Sequence, residues 1–435
     1  MKISKFQIIT LLVFVGFLIA GVIAFATFKG SSSSTKLASI TVWGTFPQQT
    51  LGQYMATIDQ TLSDPLPITY VQKSPATFYQ EFIGALANGR GPDAILVPAD
   101  MLYPYRDKLA VIPFSTMTQW DYQNTYIQEA NMYISSNGIY ALPFAVDPLV
   151  MYWNRDMFDA AGISTYPKTW EEFSTLGNKL NIKDQNGNIR RSVVALGQFS
   201  NVDNAREILG TMLLQTGNPI TTTATDGAIV STLVSNPTGG ADAQTATKFF
   251  AHFVDPANPD YSWNRDLPSS DAAFLSGSLA TYFGFASELL GLRAKNQNLN
   301  FDVAFLPQFA KGVRANYARM YGFSLIRTSP NINSAYQIIS TLTSSQYLSL
   351  ISDKMYLPSV RRDIIGAGSN DPNITMFNQA ALVAKAWPDV DANSSNQIFS
   401  NMVQSFTNGQ KNLSQTIQDA SNQYDILLQS SIPSI

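Results

Sequence analysis

Ile40-Thr41-Val42-Trp43-Gly44 opens a stretch, running to Pro98, whose reading decides the fold. The run Ile40 to Trp43 is rich in β-branched and aromatic residues and stops at a glycine, which marks a short strand. Ile68 to Val71 repeats the pattern. Phe78, Phe82, Ile83 and Leu86 then recur at helical spacing, and Gly89 ends that helix. Asp93-Ala94-Ile95-Leu96-Val97 is a third strand, closed by Pro98. Strand and helix alternating in this order predict a parallel sheet covered by helices, an α/β fold. Ligands of such sheets gather beyond the carboxyl ends of the strands. Here those ends are Trp43-Gly44-Thr45 and Pro98-Ala99-Asp100, which sets an aromatic ring, a hydroxyl and a carboxylate on one rim.

Downstream the chain is richer in helix. Thr169-Trp170-Glu171-Glu172 reads as a capping box, with Phe173, Leu176 and Leu180 on the buried face behind it. Residues 246, 249, 250, 253 and 254 form one apolar helical stripe, and His252, the only histidine, falls off it. That position predicts a solvated helix residue rather than a catalytic base. Gln404 to Leu428 is helical with an interruption at Gly409. Lys183-Asp184-Gln185-Asn186-Gly187-Asn188 has the opening of a calcium loop but lacks the glutamate needed at position 12, where Ala195 stands. Its Asn-Gly pair predicts a hairpin turn instead.

A chain of 435 residues is long enough for two domains, and 45% hydrophobic residues are ordinary for a folded protein. Charge is unusual: only 14% of residues carry one, and 28 basic against 31 acidic residues leave −3. No electrostatic footprint for nucleic acid follows from that balance. Neutral polar residues, with 12% aromatics, take the place of charge and suit neutral, hydroxyl-bearing ligands. Cysteine is absent, which excludes disulfides, thiolate metal sites and a lipid anchor on cysteine. With one histidine the parts for a serine triad or a histidine-rich zinc site are missing too, so neither metal nor cofactor is expected. Phe6 to Phe28 form an apolar stretch behind Lys2 and Lys5, followed by the run Ser31 to Ser34. Its length suits a membrane span with a cytoplasmic start, although Ala24-Phe25-Ala26 also fits a signal-peptidase site. Both readings put the remainder outside the cytoplasm, with residues 1–36 as anchor or signal plus a flexible serine tether.

The segment Gly138-Ile139-Tyr140-Ala141-Leu142-Pro143-Phe144-Ala145-Val146-Asp147-Pro148-Leu149-Val150-Met151-Tyr152-Trp153-Asn154-Arg155-Asp156-Met157-Phe158 is the most specific signal in the chain. With Pro167 to Phe173 it resembles the family 1 extracellular solute-binding proteins, relatives of maltose-binding protein. Asn88 to Ala94, Asp271 to Ala280, Tyr321 to Leu325 and Leu357-Pro358-Ser359 match further family elements in order. The resemblance runs from about residue 40 to about residue 430. It implies a two-lobed clamshell of the type II periplasmic-binding-protein kind, with hinge crossovers. Lobe 1 would take 37–147 and about 316–354; lobe 2 would take 148–315 and about 355–435. Pro143 and Pro148 cannot donate to a sheet ladder, so both suit an edge or hinge in the crossover.

The same resemblance implies a binding protein, not an enzyme, that captures a small solute, a sugar or oligosaccharide, and delivers it as a monomer to an ABC import permease. Asp147 would be a cleft carboxylate accepting from sugar hydroxyls, and Asp100 a second; turn and helix capping are the competing roles. Trp43 and Thr45 stand on the rim. Phe285 and Ser287 fall where relatives carry a Gly-x-Trp cleft motif, and here the tryptophan is absent. Tyr321 before Gly322 is placed to offer its ring and hydroxyl, and Trp387 before Pro388 is a weaker candidate, with surface packing the favoured role. Two other functions stay open: an extracellular glycoside-cleaving enzyme using Asp100 and Asp147, and a sensor built on the same clamshell.

Overall fold

The computed structural model describes residues 37–224, 228–235 and 243–430. The apolar stretch Phe6 to Phe28 and the serine run therefore lie outside the described residues. Among the described residues no helix is long and apolar enough to cross a membrane.

The folded part is mixed α/β, organised on one ten-stranded sheet. Strand β1 (Ile40–Gly44) leads through helix α1 (Gln48–Asp59) to β2 (Ile68–Gln72), and helix α2 (Phe78–Ala87) leads to β3 (Ala94–Pro98). β1 pairs in parallel with both β2 and β3, as the alternation of elements predicts. Ile40, Val42 and Gly44 are buried while Thr41 and Trp43 are half-buried, so β1 presents its two faces unequally. All five residues of β3 are buried, as expected of a strand covered on both sides.

Strand β4 (Leu142–Asn154) is buried at all thirteen positions. Its partners change along its length. Residues 142–148 pair with β8 (Asn316–Leu325), while Leu149 to Trp153 pair with β6 (Leu279–Phe285) and Met151 to Asn154 with β7 (Phe301–Ala304). Pro143 and Pro148 thus sit where β4 pairs with β8 alone among the described strands, the one-sided pairing that proline tolerates. β8 in turn pairs with β3, and β6 pairs in parallel with β5 (Ile189–Val194), which completes the path β2-β1-β3-β8-β4-β6-β5. Two-residue strands at Ile182–Lys183 and Ala384–Lys385 finish the sheet beside β5 and β8.

Helix α3 (Ala205–Gln215) is buried on nearly every face, with Arg206 among its buried residues. Helices α4 (Ala392–Thr407) and α5 (Leu413–Ser430) are separated by a break at Gly409, whose φ is +67°. The Asp184 segment is a hairpin turn: its carboxylate accepts the N–H groups of Asn186 and Asn188, and Gly187 has φ +83°. The Thr169 box forms differently from expectation. The Thr169 hydroxyl donates to Glu172 at 3.1 Å instead of accepting a backbone N–H, and the helix begins only at Glu172. His252 ends its helix with a side chain 36% exposed, and its Nε2 also lies 2.7 Å from a buried Asp260 carboxylate.

The close approach of β1 to β3 sets a test of this packing. A Cβ at position 44 would lie 2.4 Å from the Leu96 carbonyl oxygen and 2.7 Å from the Tyr70 hydroxyl. Gly44→Ala is expected to cost about 1–3 kcal/mol, the usual penalty for overpacking a dense core. Urea denaturation measures it, and an unchanged midpoint would contradict the tight β1–β3 contact.

Candidate functional site

The loop after β3 turns at once into a 3₁₀ segment (Ala99–Lys108), which carries Asp100 into the interior, 7% exposed. There Asp100 accepts from the Tyr317 hydroxyl at 3.1 Å and lies 3.9 Å from the Arg206 guanidinium. Burial pushes its carboxyl above the ordinary value, against the lowering pull of Arg206. Arg206 comes from the first turn of α3 and is 3% exposed. Its guanidinium pairs with Asp389, donates to Glu207 at 2.9 Å and to Ser395 at 2.8 Å, and lies over the Trp387 ring at 4.6 Å. Ser395 in turn donates to Asp389 at 2.6 Å. A buried arginine is tolerable only with such a full set of partners, because taking the cation out of water is costly.

Trp387 is buried beneath that guanidinium, 5.3 Å from the Tyr317 ring, and its indole N–H donates to the Tyr424 hydroxyl on α5 at 2.9 Å. Gly210 on α3 makes room for it, since a Cβ there would meet the indole at 2.4 Å. The packing role weighed for Trp387 is therefore the one its contacts describe, although it packs directly against the charged cluster.

A second group of side chains adjoins the first. Asp147 on β4 is 5% exposed and accepts twice from Ser287, from its N–H at 3.0 Å and its hydroxyl at 2.6 Å. Burial pushes this carboxyl up too, and the Ser287 hydrogen bonds oppose the rise. Arg319 on β8 stands in register with Asp147, and its guanidinium lies 3.7 Å from the centre of the Phe285 ring. Burial alone would weaken that cation, but Tyr321, Tyr317, Glu207 and Asp147 together hold its pKa above the usual arginine value. Tyr321 is half-buried and meets the Phe46 ring edge-on at 5.0 Å.

The structure thus brings Asp100, Asp147, Phe285, Ser287, Tyr321 and Trp387 to one polar seam, and sets one expected residue apart. Trp43 is not on it. Strand alternation turns its ring toward α2, where Lys73 lies over it at 4.1 Å and Gly84, Ala85, Asn88 and Arg90 border a separate hollow. Thr45 buries its hydroxyl without a partner among the described residues. Arg206, Arg319, Tyr317 and Asp389 were not found from sequence. A charged pair heading the otherwise apolar run Ile208 to Leu214 was the available signal for Arg206.

Beside the Asp100 loop lies a cavity of about 410 Å³. Tyr79, Tyr105, Met101 and Pro104 form one wall, and Val390 to Asn393, at the start of α4, form the other. The Tyr79 and Tyr105 rings are 5.6 Å apart, and Tyr79 is 44% exposed, which leaves an aromatic face open. Between them, the carboxylates and guanidinium groups of the seam and the aromatic faces of this cavity can accept from hydroxyls, donate to oxygens and cover C–H surfaces. Among the described residues no group of three or more histidine, cysteine or acidic side chains is arranged to hold a metal ion.

Solved structures share this fold. A solute-binding protein of an ABC transporter from Thermotoga lettingae, bound with α-D-tagatose, is 19% identical, with a TM-score of 0.65 over 90% of this chain and 99% of that one. A cyclo/maltodextrin-binding protein complexed with maltotetraose is 15% identical, with a TM-score of 0.70 over 92% and 98%. A cyclic α-maltosyl-1,6-maltose binding protein from Arthrobacter globiformis is 14% identical, with a TM-score of 0.70 over 91% and 100%. No curated protein matches the chain in sequence. The family model for bacterial extracellular solute-binding proteins matches residues 63–375, which is most of the chain. With that match added to the fold, the chain belongs to the bacterial extracellular solute-binding proteins.

Proposed function

We propose that this protein captures a small carbohydrate outside the cytoplasm, between two lobes, and delivers it as a monomer to an ABC import permease. The observation that carries the reading is the polar seam itself. Asp100 reaches it from the β1–β3 half of the sheet, Arg206 and Asp389 from α3 and the segment before α4, and Asp147 and Arg319 from the strands that join the halves. Acceptors and donors of this kind, next to an open tyrosine face, match the alternation of hydroxyls and C–H surface on a sugar. The three structural relatives, whose named ligands are a ketose and maltose-type sugars, support the same class.

Lobe 1 is proposed as 37–147 with about 316–354, and lobe 2 as 148–315 with about 355–435. β4 and β8 would be crossovers, and the one-sided bonding of residues 142–148 supports that role for β4. Closure then follows because only apposed lobes let both walls touch the solute, and binding shifts the equilibrium by its differential affinity. Asp147 already spends both oxygens on Ser287, which favours a fixed binding group over a carboxylate free for acid–base work. The amino-terminal apolar stretch is proposed to stay attached and hold the protein at the membrane.

Three tests follow. In a thermal-shift screen of the soluble part, sugars are expected to raise the melting temperature by mass action. Failure of every mono- and oligosaccharide would contradict the carbohydrate reading. With an identified sugar, Asp147→Ala is expected to weaken binding by about 10- to 100-fold, the worth of a hydrogen bond to a charged group. Tyr79→Ala should cost about 2- to 10-fold through its lost ring face, and Trp43→Ala should leave affinity unchanged. Calorimetry reads all three, and the assigned site is wrong if Asp147→Ala and Tyr79→Ala are silent. For the anchor, amino-terminal sequencing of the native protein is expected to begin at the start of the chain; a start at Thr27 would show cleavage.

A further inference from the structure

One buried acid at the seam has no part in the proposed solute contacts. Glu129 lies in the 3₁₀ turn Gln128–Tyr133, is 3% exposed, and has no hydrogen-bond partner among the described residues for either carboxyl oxygen. An ionised carboxylate so placed is far costlier than the neutral acid, because no described protein group replaces the water it has lost. The turn walls a second cavity of about 780 Å³, which shares no lining residue with the tyrosine-walled one. Across it stand Leu214 and Thr216 at the end of α3, Asn218 and Pro219, and the Ala384–Pro388 segment that carries Trp387.

Charged and titratable groups approach Glu129 from each side. Asp100 faces it from the 3₁₀ segment after β3, and Tyr133 lies on its own turn, its hydroxyl donating to the Met320 carbonyl at 3.1 Å. Lys311 and Lys385 border the same cavity. Burial pushes the Glu129 carboxyl well above its ordinary value of 4.5, and the charge on Asp100 pushes it further.

We propose that Glu129 is a pH-sensitive latch: as a neutral acid it lets the Gln128–Tyr133 turn seat against Asp100 and the Ala384–Pro388 segment, and on losing its proton it loosens that seat. In the unfolded chain the group ionises near 4.5, whereas in the fold it stays protonated to higher pH. Its contribution to stability is therefore full below the ordinary glutamate value. It falls as pH rises toward the raised value and is constant above that. The latch is independent of which solute binds, so it can be tested on the protein without any ligand.

Thermal unfolding of wild type and Glu129→Gln, from about pH 5 to about pH 9, is the first readout. Glutamine keeps the shape of the neutral acid and cannot ionise. The wild-type melting temperature is expected to fall by several degrees relative to the variant across that range. Hydrogen exchange, corrected for its intrinsic pH dependence, is the second readout. Protection of residues 128–133 and 384–388 is expected to drop with pH in wild type and to hold in the variant. Parallel melting profiles would overturn the proposal, because they mean that Glu129 is ionised throughout. Should Glu129→Gln not fold, exchange on the wild type decides alone: pH-independent protection of residues 128–133 overturns the latch, and falling protection supports it.

Discussion

A single strand must serve two partly separate ladders, and the remainder of the architecture is arranged around that requirement. β4 bonds to β8 over its first half and to β6 and β7 over its second, and none of its thirteen residues is exposed. The switch falls between Pro148 and Leu149, directly after Asp147. The carboxylate is therefore delivered to the place where the two halves of the sheet meet, and Arg319 arrives opposite it through the β4–β8 register. Position in the ladder, rather than any local motif, gives these two side chains a common address.

Low overall charge makes the charges at the seam more telling. In a chain where 14% of residues are charged, two arginines and several carboxylates are drawn together in the interior or at its edge. Burying them is unfavourable unless they are compensated, and for Arg206 and Asp147 the compensation is visible atom by atom. Arg206 is met by Asp389, Glu207 and Ser395, and Asp147 by both donors of Ser287. Arg319 lies against the face of Phe285. Phenylalanine gives that cation a π-face without an indole N–H that would itself need an acceptor.

Much of the fold was legible in the sequence because its signals are local. The strands at 40, 68 and 94 end at glycine, polar or proline boundaries, and the 78–87 helix shows its apolar spacing. Pro143 and Pro148 announced a one-sided ladder. Of the candidate seam, Asp147 was legible through the crossover segment, Asp100 through its strand end, and Phe285, Ser287, Tyr321 and Trp387 through short motifs. Trp43 misled because a strand's end gives its rim but not its face: with Val42 and Gly44 turned inward, alternation sends the indole to the other side of the sheet. Arg206 and Asp389 are 183 residues apart and meet only through tertiary packing, so no window of sequence contains both. Tyr79 and Tyr105 were hidden for the opposite reason, since aromatics at such spacing ordinarily fill cores, and Tyr105 is indeed 2% exposed.

The hydrogen bond from Trp387 to Tyr424 has a consequence for the order in which the molecule is made. Trp387 supports the Arg206 guanidinium from below, and Tyr424 on the last described helix fixes Trp387. A ribosome-bound chain could already have assembled the β1–β3 ladder, yet the seam would still lack its support. Asp100, early in the sequence, therefore waits for a side chain more than three hundred positions later. Assembly of the seam is coupled to synthesis of the segment around Tyr424, and a product terminated before it would present the β1–β3 ladder without the charged seam in working order.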